Sequence, residues 1–217
     1  MNLEIQDELT RLTLQCKVEK VQQLFDKQTF QHLPVLDGYR YLGCISELDI
    51  RTFDTEKTLK DYQDYFEKFF VKKEVNPLEV LQAISNHQTN IMPVLCDDQL
   101  EYLGYYDLNS VLDIFTDMPF LSEYGNIIVV RKGVNDYSFS EVSQIVESNN
   151  LKLYSMYISK MDHDVAELTL KVSDGDLNAV LRTFRRYSYE VMSSYFNDMY
   201  LNDLKSKSRY LGRYLNI

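Results

Sequence analysis

Tryptophan is absent from this 217-residue chain, and histidine (3), cysteine (3), proline (4) and glycine (7) are all scarce. The cysteines, Cys16, Cys44 and Cys96, are far apart and form no CxxC or Cys/His spacing, so no zinc ligand set is written in the sequence. An odd count in apolar, strand-like runs reads as reduced, buried thiols rather than a disulfide framework. With so little glycine, neither a P-loop nor a GxGxxG fingerprint occurs. His32, His87 and His163 have no nucleophile or orienting carboxylate in supporting context, so the chain reads as non-catalytic. No apolar run approaches the length of a membrane span. The opening MNLEIQDELTRL is too charged for a secretory signal, so the expected compartment is the cytoplasm.

What is present is an acidic, aromatic-rich composition. Hydrophobic residues make up 45%, with 17 Tyr and 11 Phe, enough to build a sizeable core. The net charge of -10 excludes broad contact with nucleic acid or an anionic membrane, because phosphate backbones need a basic surface.

The main internal signal is a repeat. VQQLFDKQTFQHLPVL (21–36) lies over VLQAISNHQTNIMPVL (80–95) without a gap, and each copy then reaches Tyr-Leu-Gly, at Gly43 and Gly104. A self-similar unit implies one supersecondary block built twice and packed on itself, with clefts between the copies. In the first copy Val18, Val21, Leu24 and Phe25 have helical spacing. HLPVLD and YRYLGCI read as a hairpin turned by Asp37-Gly38. A helix is expected to start at Ser46 and continue towards Phe70. The second copy reads as the helix NPLEVLQAIS, a hairpin with a loop two residues longer, and the closing helix LNSVLDIF. Before the first copy, Leu3, Ile5, Leu9 and Leu12 suggest a short amphipathic helix.

After the break at Met118-Pro119 the rhythm changes. NIIVVRK, SFSEVSQIVESNN, LKLYSMYIS, AELTLKVS, DLNAVLRTFRRYS and YEVMSSYF alternate as βαββαβ, the ferredoxin-like split βαβ. Ser138 and Glu141 are a candidate capping box. The expected organisation is therefore α+β: repeat 1 at 1–70, repeat 2 at 71–119, a ferredoxin-like domain at 125–197 and a helical tail at 198–217 carrying Lys205, Lys207, Arg209 and Arg213.

The doubled block, with HLPVLD and GCISELDI in the first copy and IMPVL and GYYDLNS in the second, resembles the CBS domain. That resemblance implies a tandem, pseudo-twofold CBS pair. The βαββαβ part resembles an ACT-type regulatory domain, and the order of the two is similar to that of bacterial acetoin-utilisation-B-like proteins. Together these imply a regulatory protein, a homodimer, that binds an adenosine-type ligand such as AMP, ADP, ATP or S-adenosylmethionine, requires no cofactor, and acts on a protein partner.

The family's phosphate- and ribose-holding Ser/Thr and Asp fall here on Ser46 and Asp49. A hydroxyl at a helix N-terminus suits an anion, and a carboxylate can accept from both ribose hydroxyls. The same two residues also make an ordinary N-cap. The resemblance places adenine against Leu14, Gln15 and Cys16 and against His32, Leu33 and Pro34, with Arg51, Lys72 and Lys73 as phosphate partners. In the second copy Asp107 stands for Ser46 and Ser110 for Asp49, which sets a charge beside a phosphate and removes the two-pronged grip on ribose. That site is expected to be weakened or adapted. The loop with Gly133 and Asp136 is the place where the ACT resemblance would put an amino acid. The alternatives are an interaction module with vestigial clefts, or an amino-acid sensor working through the second domain.

Overall fold

The computed structural model describes residues 3–96 and 101–192. Its contacts divide the chain into two units, Met1–Thr116 and Asp117–Ile217. The tail expected at 198–217, with its four cations, and the end of the last strand lie outside the described residues.

The first unit contains two αββα blocks. In the first, α1 (Val18–Phe25) buries Val18, Val21 and Phe25, and β1 (His32–Asp37) pairs antiparallel with β2 (Arg40–Ser46). α2 (Glu47–Ile50) closes the block. In the second, α3 (Pro77–Asn86) opens with Pro77 in its first turn, where the missing N–H is not needed, and Asn76 caps Leu78 N–H. β4 (Ile91–Leu95) pairs antiparallel with β5 (Tyr102–Asp107), and α4 (Leu108–Thr116) follows. Both hairpins slip register at matching points, between Val35 and Leu36 and between Val94 and Leu95.

Two expectations fail here. Residues 3–12 are not a helix. They run extended, pairing at Gln6 with Tyr105 and at Leu12 with Val35. Leu9 and Leu12 are buried as the periodicity implied, but strand partners elsewhere in the chain satisfy the backbone, and tertiary pairing overrides the local pattern. The helix from Ser46 stops after a single turn. Thr52 N–H and hydroxyl both bond to Asp49 O, and the chain then turns, with Phe53 stacked on Tyr62 at 3.8 Å. A 3-10 helix at Leu59–Tyr65, opened by a Thr58/Asp61 capping box, replaces its continuation.

The blocks exchange their entering segments. The chain ahead of α1 crosses to the second hairpin, where Gln6 and Tyr105 trade N–H···O bonds of 3.0 and 2.9 Å. The chain ahead of α3 crosses to the first hairpin, where Glu67 and Cys44 do the same at 2.9 and 2.8 Å. Each segment then runs parallel to its own block's first strand, Leu12 beside Val35 and β3 (Val71–Lys72) beside Val94 and Leu95. The crossings depend on Gly43 (φ +143°) and Gly104 (φ +142°), whose backbone lies in a region that side chains rarely adopt. A Cβ at Gly43 would lie 2.8 Å from Phe66 Cβ, and one at Gly104 would collide with Gln6 O. Asn90 joins the two blocks, accepting from Gln31 N–H at 2.9 Å and donating to Thr29 O at 2.7 Å.

In the second unit a short α5 (Pro119–Ser122) precedes β6 (Asn126–Gly133), α6 (Phe139–Ser148), β7 (Leu153–Met161), β8 (Val165–Val172), α7 (Leu177–Arg186) and β9 (Glu190–Val191). The sheet order is β7-β8-β6-β9, with every neighbour antiparallel, which is the split βαβ arrangement. The strands alternate, so Ile128, Val130, Leu168, Leu170 and Val172 meet Val142, Ile145, Val146, Val180, Leu181 and Phe184 of the helices in one core. Only half of the capping box forms. Ser138 Oγ accepts from Glu141 N–H at 3.4 Å, but the Glu141 carboxylate pairs with Lys132 at 2.7 Å, and Ser138 N–H donates to Tyr189 Oη.

Of the three cysteines read as buried, only Cys44 is. Its thiol is pushed up to about 12, chiefly by burial, so it stays protonated. Cys96 is exposed because it follows the last residue of β4, and Cys16 is half-buried in the turn before α1.

Candidate functional site

Ser46 ends β2 and caps α2. Its hydroxyl donates to Asp49 Oδ2 at 2.7 Å and accepts from Asp49 N–H at 3.0 Å. Glu47 N–H, the first of the helix, goes to Gln31 O at 2.8 Å. Ser46, Glu47, Leu48 and Asp49 line a cleft of about 580 Å³, facing Gln31, His32, Glu67 and, from the second block, Asn86, His87 and Gln88. The volume falls within the range of small-molecule sites.

His32 forms part of the cleft wall. It is 5% exposed, with Nδ1 3.0 Å from Thr89 Oγ1 and Nε2 3.2 Å from Glu67 Oε1. Phe69 packs edge-on to its ring and stacks on His87 at 4.6 Å. The residues that fix His32 therefore come from the linker and the second block, so the wall exists only when the blocks are together.

The corresponding place in the second block is built differently. Asp107 Oδ1 accepts from Asn109 N–H at 2.9 Å and Ser110 N–H at 3.1 Å. Its Oδ2 accepts from the Ser110 hydroxyl and from Gln6 Nε2 at 2.6 Å, and Gln6 also reaches Ser110 Oγ at 2.8 Å. Leu108 N–H goes to Asn90 O. Burial pushes the Asp107 carboxyl up, but the hydrogen bonds from Ser110, Asn109 and Gln6 together outweigh it and hold the group below its ordinary value. The first three amides of α4 and both carboxylate oxygens are thus taken up within the protein.

The structure brings Ser46, Asp49 and His32 to one cleft and leaves the other named residues elsewhere. Gln15 and Cys16 line a separate shallow pocket with Thr13, Lys17, Glu19, Lys20 and Gln23. Leu33 and Pro34 are buried in β1, Leu33 within the core. Arg51 does not line the cleft. One turn beyond Glu47, its guanidinium pairs with Glu47 at 2.9 Å and Asp26 at 2.7 Å. Lys72 and Lys73 are not in the lining either. Asp107 and Ser110 meet each other and Gln6. In the second unit the Asp136 side chain folds back against Gly133, and the turn is closed by Asp136 N–H to Gly133 O at 2.9 Å.

Glu67 and Gln6 are the residues that sequence reading missed. They occupy matching positions on the two crossing segments, and each sends its side chain toward the cap of the opposite block. The repeat itself does not point to them, because its offset of 59 residues carries Gln6 onto Tyr65, two residues short of Glu67.

No protein-family model matches the chain, and no curated protein does. Solved structures that resemble it include a CBS domain pair/ACT domain protein from Thermotoga maritima, 16% identical, covering 54% of this chain and 98% of that one, with a TM-score of 0.48. The cystathionine beta-synthase pair domain of a putative Mg2+ transporter from Shewanella oneidensis is 18% identical over 52% of this chain and 67% of its own, with a TM-score of 0.46. The cytosolic domain of the Mg2+ channel MgtE in complex with ATP is 18% identical, covers 51% of this chain and 46% of its own, and has a TM-score of 0.43. Among the described residues no helix is long and apolar enough to cross a membrane.

Proposed function

We propose that the chain is a regulatory, non-catalytic protein whose first-block cleft takes an adenosine-type ligand and whose second block serves as the fixed partner wall. The observation that supports this most is the asymmetry between two equivalent places. Around Asp107 both carboxylate oxygens are already taken and Gln6 bridges the pair. Around Asp49 only Oδ2 is engaged among the described residues, and a cleft of about 580 Å³ opens beside it. A ribose hydroxyl can donate to the remaining oxygen, and residues 86–88 at the C-terminal end of α3 supply the opposing surface.

A ligand held by both blocks favours one relative arrangement of them and shifts any dimer or partner equilibrium that depends on it. Thermal-shift measurement tests this reading with AMP, ADP, ATP and S-adenosylmethionine. Binding to the folded state raises the melting temperature by mass action, by about 2.7 kcal/mol of stability at a hundred times Kd. The expected result is a rise with at least one of the four that is lost in Asp49→Ala and kept in Ser110→Ala. A flat response across the panel would overturn the proposal. A response to an amino acid alone would move the sensing role to the second unit.

A further inference from the structure

Granting the adenosine reading of the first cleft, the geometry points to a finer specificity: we infer that it selects a cationic adenosine derivative, such as an adenosyl sulfonium, over an anionic nucleotide, with Glu67 setting the preference. The lining carries three carboxylates, Glu47, Asp49 and Glu67, and neither a lysine nor an arginine. The nearest cation in sequence, Arg51, is committed to Asp26 and Glu47 at 2.7 and 2.9 Å. The donors at the α2 cap are also committed. The Ser46 hydroxyl proton goes to Asp49, Asp49 N–H returns to Ser46, and Glu47 N–H goes to Gln31 O. An incoming phosphate would meet the side chains of Gln31, Asn86, His87 and Gln88 but no lysine or arginine to balance its charge, whereas a sulfonium or ammonium would meet the carboxylates of Asp49 and Glu67, which stabilise it.

Glu67 is singled out by how it is held. Its backbone is fixed in both directions to Cys44, and its Oε1 rests 3.2 Å from His32 Nε2. Its side chain is 42% exposed, so it reaches the cleft from a rigid base and is still open to an incoming group. Its counterpart Gln6 is neutral and spends its amide on Asp107 and Ser110. The two crossing segments therefore end in different side chains at matching places, one that bridges its cap and one that charges its cleft.

The test is isothermal titration of the full chain and of Glu67→Gln with S-adenosylmethionine, S-adenosylhomocysteine, AMP and ATP. The first two differ by one methyl group and the sulfonium charge. The expected result is a preference of about tenfold for the sulfonium over the thioether, weaker binding of both nucleotides, and a preference reduced to about threefold or less in Glu67→Gln; each tenfold corresponds to about 1.4 kcal/mol. Wild-type protein titrated at low and high salt provides a second readout that needs no variant, since an exposed charge preference shrinks with ionic strength. If AMP or ATP binds as tightly as the sulfonium, or the preference survives both the substitution and high salt, the inference falls while the adenosine reading stands. If none of the four binds, the adenosine reading falls and the inference goes with it.

Discussion

At the residue scale, Asp107 links the first unit's stability to pH. Its carboxyl is held below the ordinary value of about 3.9 by hydrogen bonds that favour the charged form. A group lowered in the folded state contributes stability that is complete above its unfolded value and disappears as the pH falls through the folded one. Melting curves between pH 6 and 3 should therefore show a loss on acidification that is smaller in Asp107→Asn. An equal loss in the variant would mean that Asp107 is not among the groups responsible. Asp107 also shows what a single sequence conceals. The replacement of Ser46 by Asp and of Asp49 by Ser in the second copy was legible, and so was the resulting mismatch with a nucleotide. The reason the place holds together was not, because the residue that completes it, Gln6, lies 101 positions away. Glu67 was hidden for the same reason, since its exchange with Cys44 has no local pattern.

At the element scale, the crossing segments are what a periodicity reading cannot recover. Helices α1 and α3, both hairpins and the βαββαβ order were written in local spacing, because each buries one face against its own neighbours. Residues 3–12 have the apolar spacing of a helix yet serve as strand, since their partners are Tyr105 and Val35. The glycines record the crossing. Gly104→Ala combines an unfavourable φ with a collision against Gln6 O and should cost about 3 kcal/mol. Gly38→Ala, at φ +60° with nothing within 4 Å, should cost only about 1 kcal/mol. Urea unfolding midpoints compare the two, and equal losses would mean that the N-terminal segment does not press on β5.

At the scale of the whole molecule, the repeat that was plain in the sequence becomes a functional asymmetry in the structure. Both blocks have the same elements and the same glycine-gated crossing, yet one cap is bridged by Gln6 and the other opens on a cleft walled by His32, Glu67 and the end of α3 at 86–88. Sequence reading located Ser46, Asp49 and His32 in that cleft. It assigned Gln15, Cys16 and Arg51 to the same place because it could not see that Arg51 would be drawn to Glu47 and Asp26, or that Gln15 and Cys16 would face a different pocket. Amide hydrogen exchange with and without saturating S-adenosylmethionine, repeated with AMP, tests the central claim most directly. The account predicts slowed exchange at residues 31–32, 46–49, 67 and 86–88 with at least one of the two, and no change at 6 or 107–110. Protection centred on 107–110, or confined to the second unit, would contradict it.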